Sequence, residues 1–338
     1  MELQLFAFKS SLEFGVKVSE HLRIPLSSME ERDFEDGEHK TRPLENVRGR
    51  DVFVIQSLFA DERESVNDKI CRLLFFIGAL KDSSAGKITV VLPYFAYARK
   101  DRKTKDRDPV TMKYMALLME AVGANHVITM DVHNISAYQN AFRIPTDLLE
   151  ARLLFAPYFF QLACEEEIVV VSPDSGGVKR ANSFHETLSE LTHKTPGKAF
   201  LEKHRSEGQV SGGEAVIGDV KGKVAIIIDD IISSGKTIRL AVEALDRAGA
   251  KRIFACATHG LFVGNANKEL SHPKLERVLI TDSIKPFRLE KIILDQKITI
   301  LDSSVLFAKA MKRIQAGDSL VDLTQHFPHA LQELNSLS

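Results

Sequence analysis

The chain has 338 residues, 44% hydrophobic and 27% charged, a balance ordinary for a globular protein with room for two full cores. Its 45 basic and 46 acidic residues leave a formal net charge of −1, which gives no electrostatic footprint for nucleic acid. No apolar run reaches the roughly 18 residues of a membrane span, and the start MELQLFAFKSS lacks a basic segment followed by a long apolar one.

The first predicted elements are a short strand at residues 3–7 and a helix over 11–23. DFEDGE, residues 33–38, follows; its Asp36-Gly37 marks a tight turn and reads as a hairpin tip. Strands at 52–55 and 88–92 flank a helix at 65–81, and this βαβα alternation predicts a parallel sheet. Residues 93–111, PYFAYARKDRKTKDRDPVT, have neither helical nor strand periodicity. The bland reading is a solvated charged loop. It leaves the carboxyl end of a parallel strand, however, where open α/β sheets place ligands. Its aromatics offer an adenine ring a stacking surface, and its cations offer phosphates charge-assisted donors. A helix at 112–122 leads to a strand at 127–130 and then to Asp131-Val132-His133-Asn134. A lone histidine is usually a satisfied surface or core residue, but one beside an aspartate at a strand's carboxyl end is a metal or phosphate candidate.

The second half repeats this design, which suggests an old duplication. A strand at 168–171 ends in Ser172-Pro173-Asp174-Ser175-Gly176-Gly177, where backbone can approach a phosphate while the carboxylate takes a divalent cation. After a helix comes the polar, Gly-rich stretch EKHRSEGQVSGGE, residues 202–214, whose bland reading is a surface loop. The segment 223–237, KVAIIIDDIISSGKT, follows. Its apolar run 224–228 predicts a strand buried on both faces, followed by Asp229-Asp230 and the turn Ser233-Ser234-Gly235-Lys236-Thr237. The turn opens a helix with apolar residues at 238, 241, 242 and 245, so an anion is favoured there and the carboxylates suit sugar hydroxyls or a metal ion holding them. A Walker A motif is excluded because Asp230 stands where its first glycine belongs. Strands at 253–257, 277–281 and 298–301 and a helix at 304–315 complete the chain. Cys71, Cys164 and Cys256, odd in number and widely spaced, read as reduced core thiols in a cytosolic protein.

Residues 223–237 resemble the phosphoribosyl-diphosphate motif of the type I phosphoribosyltransferase fold. Nine blocks together resemble the ribose-phosphate diphosphokinase (phosphoribosyl pyrophosphate synthetase) family, from Leu5 to about Ile314: FEDGE, ENVRGRDVFVIQS, PYFAYARKDRK, DVHN, VSPDSGGVKRA, EKHR, IGDVKGK, IDDIISSGKT and ATHGLF. The resemblance implies two doubly wound parallel-sheet domains of type I phosphoribosyltransferase-like fold, over residues 1–147 and 148–303, with 304–338 packing back on the first. It implies transfer of the diphosphoryl group of Mg·ATP to the 1-hydroxyl of ribose 5-phosphate, in the cytoplasm, by a homo-oligomer, a dimer or a hexamer. No nucleic-acid or membrane partner is expected.

By the same resemblance, Phe34, Asp36, Gly37 and Glu38 form the adenine-binding turn, lent by a neighbouring subunit. Arg99, Lys100, Asp101 and His133 contact ATP, and His133 and Asp174 hold Mg²⁺. Asp174, Ser175, Gly176 and Gly177 form the diphosphate loop. Asp229 and Asp230 take the ribose hydroxyls, and Ser233, Ser234, Gly235, Lys236 and Thr237 cup the 5-phosphate. Lys203 and Arg205 are the catalytic cations, Arg205 also reaching ribose 5-phosphate. The chain departs from the family pattern at Lys100 (commonly Gln), at His204 (Arg), in DVHN (for DLHA) and in SSGKT (for DTGGT). Two other readings are a phosphoribosyltransferase, which needs only one such domain, and a catalytically inactive regulatory homologue, against which Lys203, Arg205, His133 and Asp174 argue.

Overall fold

The structure, a computed structural model, describes residues 2–203 and 214–324, with Lys203, Glu214, Asp322 and Thr324 given by backbone alone. The described residues form two compact units, 2–150 with 304–324, and 151–303. The first contains β1 (Leu3–Ala7), α1 (Leu12–Leu22), β2 (Met29–Asp33), β3 (His39–Pro43), β4 (Asp51–Ile55), α2 (Val66–Asp82), β5 (Lys87–Leu92), α3 (Thr111–Val122), β6 (His126–Met130), α4 (Ile135–Ala141) and β7 (Thr146–Leu149). The second contains α5 (Arg152–Tyr158), α6 (Phe160–Glu165), β8 (Ile168–Ser172), α7 (Val178–Thr192), β9 (Gly197–Lys203), β10 (Glu214–Ile217), β11 (Val224–Ile232), α8 (Lys236–Arg247), β12 (Arg252–Gly260), α9 (Ala266–Leu270), β13 (Leu275–Thr281), α10 (Lys291–Lys297) and β14 (Ile298–Leu301). The closing helices α11 (Ser304–Ala316) and α12 (Val321–Thr324) belong to the first unit.

In the first unit the sheet order is β1-β4-β5-β6-β7, all parallel. Both faces are covered, which is why β4 is buried along its whole length and reads as an apolar run from Val52 to Ile55. On one face Phe6, Val52, Val54 and Val90 pack with the apolar stripes of α2 and α3. A capping box between Ser65 and Asp68 starts α2, and Gly123 in the left-handed region ends α3. Alternation along β1 turns Ala7 to the other face, where α1 lies close. A Cβ on Gly15 of α1 would stand 2.4 Å from that of Ala7. Phe14 meets Phe307 of α11 edge-on at 5.4 Å.

The second unit has the order β10-β9-β8-β11-β12-β13-β14, parallel except for the antiparallel β9–β10 pair. Ile238, Val242 and Leu245 of α8 cover Val169, Ile227 and Ala255 on one face, while Phe159 packs on Phe254 and Phe184 on the other. From β8 the chain passes through α7 to β9 on one side; from β11 it passes through α8 to β12 on the other. The winding therefore reverses between β8 and β11, and a crevice opens at their carboxyl ends. Pairing of β11 with β8 stops at Ile227↔Val171, whereas pairing with β12 continues to Ile232↔Gly260.

Both units are thus α/β folds built on mainly parallel sheets, as expected, and the winding reverses between β8 and β11 of the second. Three expectations need correction. The strand predicted to end at 228 runs through Asp229 and Asp230 to Ile232, because Ile231 and Ile232 keep their pairing with β12. The helix after it starts at Lys236, so Lys236 and Thr237 belong to its first turn. Of the cysteines only Cys256 is in the core; Cys71, on the solvent side of α2, and Cys164 are exposed. No helix among the described residues is long and apolar enough to cross a membrane.

Gly15 and Gly78, both inside helices, should respond oppositely to alanine. Gly78 in α2 has nothing within 4 Å of an added Cβ, so Gly78→Ala should gain about 0.5–1 kcal/mol. Gly15→Ala should lose about 1–2 kcal/mol, because overpacking against β1 outweighs the gain in helix propensity. Thermal unfolding should read these as opposite shifts of a few degrees; equal shifts would contradict the close α1–β1 packing.

Candidate active site

The crevice of the second unit is lined by the two turns that leave β8 and β11. Gly235 takes the left-handed conformation (φ 81°) at the N-cap of α8, with no side-chain cap. A Cβ there would meet Glu269 Cβ at 3.1 Å, so the turn needs glycine for both conformation and space. The first intrahelical bond runs from Arg239 N–H to the Gly235 carbonyl. The N–H groups of Lys236, Thr237 and Ile238 are left without an intrahelical acceptor, which makes the helix start a seat for an anion. Ser233 and Ser234 are partly buried, while Lys236 and Thr237 are exposed. The turn is braced from β12: Leu261 and Phe262 N–H both donate to the Ile232 carbonyl, and Val263 N–H to that of Ser233. The ATHGLF block serves this bracing. His259 Nδ1 is paired with Ser283 Oγ at 2.8 Å, and the Phe262 ring lies where a Cβ on Gly260 would be.

Asp229 is partly buried and Asp230 is 4% exposed. Asp229 Oδ1 accepts the Asp230 N–H at 2.8 Å. Burial first, and then the neighbouring Asp230 carboxylate, push the Asp229 carboxyl well above the usual carboxylate range. Against them stands Arg180 of α7, whose Nη1 lies 3.3 Å from Asp230 Oδ1 and 3.6 Å from Asp229 Oδ1. Arg180 lies in the quoted VSPDSGGVKRA block, yet residue chemistry alone gave it no role. The signal that could have found it is a cation in the first turn of a helix that follows a phosphate-type loop.

The loop before α7 is folded on Asp174. Its Oδ1 accepts the N–H groups of Gly176 and Gly177 at 2.9 Å each, and Ser172 Oγ donates to its carbonyl. Gly177 has no room for a side chain, since an added Cβ would stand 2.8 Å from Ser172 Oγ. Asp174, Ser175 and Gly176 are exposed. Lys203 is the last residue of β9, the strand beside β8, and so stands at the same carboxyl edge. Its side chain, and Arg205 with His204 entirely, lie outside the described residues.

In the first unit, Phe34–Glu38 form the tip of the β2–β3 hairpin, closed by Phe34 N–H to the Glu38 carbonyl and by Gly37 at φ 89°. The tip is exposed, with the Arg32 guanidinium over the Phe34 ring, and the hairpin is tied to α2 by Arg72 and Asp33. The loops after β5 and β6 meet, since Asn134 Nδ2 donates to Asp101 Oδ2 at 2.8 Å and Asn134 Oδ1 caps α4. Asp131, at φ 31°, turns the chain out of β6. Arg99, Lys100 and His133 are exposed around this contact. Of the aromatics expected to offer a stacking surface, Phe95 is withdrawn into the core, while Tyr94 and Tyr97 are partly buried. Phe95 is 2% exposed and packs on Tyr138 and Phe142, and the Tyr97 hydroxyl is held by Asn67. Interleaving with cations did not reveal that these rings anchor the loop from beneath. His133 belongs to the first unit and Asp174 to the second, and no cluster of three or more His, Cys, Asp or Glu able to hold a metal occurs among the described residues.

The acidic pair sets a stability cost that can be measured. With a raised carboxyl, the folded protein keeps a proton that the unfolded chain releases above about pH 4. The folded state then binds more protons, so stability falls as pH rises until the pair has lost its last one. Asp229→Asn removes this penalty, and should raise the melting temperature by roughly 2–6 °C at pH 8 and by less at pH 5. A variant less stable than the parent at pH 8 would contradict the raised Asp229 carboxyl.

Comparison with known proteins agrees with this geometry. The family model for the N-terminal domain of ribose phosphate pyrophosphokinase matches residues 3–123, and that for the phosphoribosyl synthetase-associated domain matches residues 200–325. Ribose-phosphate pyrophosphokinase of Caldanaerobacter subterraneus is 42% identical over 95% of this chain and 97% of its own. That of Bacillus caldolyticus is 40% identical over 93% and 95% respectively. The crystal structure of phosphoribosylpyrophosphate synthetase from Mycobacterium smegmatis superposes with a TM-score of 0.83 at 33% identity, covering 94% of this chain and all of that one. From its first strand to its last described helices, the chain belongs to the ribose-phosphate pyrophosphokinase family.

Proposed function

We propose that the protein transfers the diphosphoryl group of Mg·ATP to the 1-hydroxyl of ribose 5-phosphate, giving phosphoribosyl diphosphate and AMP. The observation that carries this reading is the crevice between β8 and β11, where an acidic pair and two uncapped helix starts lie on adjacent strands. The relatives matched over nearly the whole chain bear the corresponding name.

The 5-phosphate sits at the start of α8, held by Ser233, Ser234, Gly235, Lys236 and Thr237, with Asp229 and Asp230 accepting the ribose hydroxyls. The Asp174–Gly177 loop takes the diphosphate at the start of α7. Arg99, Lys100, Asp101 and His133 hold ATP. The exposed hairpin tip, with Phe34, Asp36, Gly37 and Glu38, serves the adenine of a neighbouring subunit in a homo-oligomer, a dimer or a hexamer. Lys203 and Arg205 stabilise the charge that develops on the transferred group.

His133 and Asp174 suit a phosphate-held Mg²⁺. Each is exposed, and Asp174 has committed Oδ1 to its own loop, leaving Oδ2 for a largely hydrated ion. When bound, the ion neutralises triphosphate charge. The chain's own work is positioning. The sugar's 1-oxygen forms a bond to the β-phosphorus, the bond from that phosphorus to the oxygen bridging the α-phosphate breaks, AMP departs with that oxygen, and the hydroxyl proton is released.

Purified protein given Mg·ATP should therefore form AMP in amounts that match phosphoribosyl diphosphate and depend on ribose 5-phosphate. Chromatography of the nucleotides checks this directly. ADP as the only nucleotide product would replace the reading with an ordinary kinase, and no turnover with an intact fold would favour an inactive homologue.

A further inference from the structure

The first turn of α7 carries Lys179 and Arg180 and no acidic residue. A helix start favours the opposite charge, because its free N–H groups are the positive end of the dipole. Arg180 thus works against the helix that bears it. What it gains lies on another element: the same Nη1 is within ion-pair distance of both Asp230 and Asp229 at the end of β11. The pair is shielded, with the Arg180 side chain 22% and the Asp230 side chain 6% exposed. An ion pair placed there is screened far less than one on the open surface.

We propose that Arg180 is a positioning residue for the sugar, holding the carboxylates of Asp229 and Asp230 side by side so that both face the ribose hydroxyls. Two like charges on consecutive residues otherwise turn apart, which takes one of the acceptors away from the sugar. One guanidinium nitrogen reaches both carboxylates, so a single cation draws the two together. The inference rests on assigning the acidic pair to ribose 5-phosphate, and it singles out one substrate. Binding of ribose 5-phosphate should weaken when Arg180 is lost, and binding of ATP should not.

The test is steady-state kinetics of Arg180→Gln and Arg180→Lys, with Lys179→Gln as the control for an exposed cation on the same turn. Arg180→Gln should raise the KM for ribose 5-phosphate about tenfold or more, the loss expected when a shielded ion pair is broken. Its KM for ATP should stay within about twofold, and kcat should fall less than the ribose 5-phosphate KM rises. Arg180→Lys should recover part of the loss, and Lys179→Gln should match the parent. Melting curves establish that each variant is folded, and Arg180→Lys keeps the test open should the Gln variant not fold. An unchanged ribose 5-phosphate KM in a folded, active Arg180→Gln would overturn the proposal and leave the functional reading standing. So would an equal rise in both KM values, or no recovery with Lys. Absence of ribose 5-phosphate-dependent AMP from the parent protein would overturn both.

Discussion

Two carboxylates on consecutive residues at the end of a buried strand are costly, and the second unit is arranged to keep them there. Asp229 and Asp230 cannot both ionise freely in that setting, since burial and mutual repulsion raise the first of them. They are tolerated because β11 is fixed by its neighbours: β8 up to Ile227 and β12 up to Ile232. Arg180 reaches across from α7 to offset their charge. The overhang of β11 beyond β8 supplies the space, and the reversal of winding places two helix starts beside it. Charge, space and anion seats come from one topological feature.

The first unit contributes differently. Its sheet runs in one direction without reversal, and its candidate groups stand on loops tied to each other by Asp101 and Asn134. The loop after β5 is anchored from below by Phe95 in the aromatic cluster, and beyond it Asp108 accepts from Thr104 and Lys105. A run of cations is thereby held on an ordered turn.

Much of this was legible in the sequence for a simple reason. Strands buried on both faces leave unbroken β-branched runs, so β4, β5, β8 and the start of β11 were found close to their true limits. The phosphate-type turns were legible because glycine is needed where backbone must bend or come close, as Gly177 and Gly235 do. Other features were hidden. β7 and β10 are edge strands of four residues each, too short for a pattern to show, and β9 interleaves Lys198, Glu202 and Lys203 with its apolar residues. Asp229 and Asp230 broke the burial pattern of a strand that nevertheless continued, a local conflict of the kind that collects at functional sites. Arg180 was invisible because its partners lie far along the chain, and no local spacing encodes them. The burial of Phe95 likewise depended on Tyr138 and Phe142, which only the fold brings near.

The central claim is that the acidic pair of β11 receives the sugar. Calorimetric titration of ribose 5-phosphate into the parent protein and into Asp229→Asn, each in two buffers of different ionisation enthalpy near neutral pH, tests it most directly. The account predicts proton release on binding to the parent, as the proton held on the Asp229 carboxyl gives way to sugar hydroxyls. For Asp229→Asn it predicts weaker binding, by about tenfold, without that release. Equal affinity of the two proteins, with the same buffer dependence in both, would contradict it.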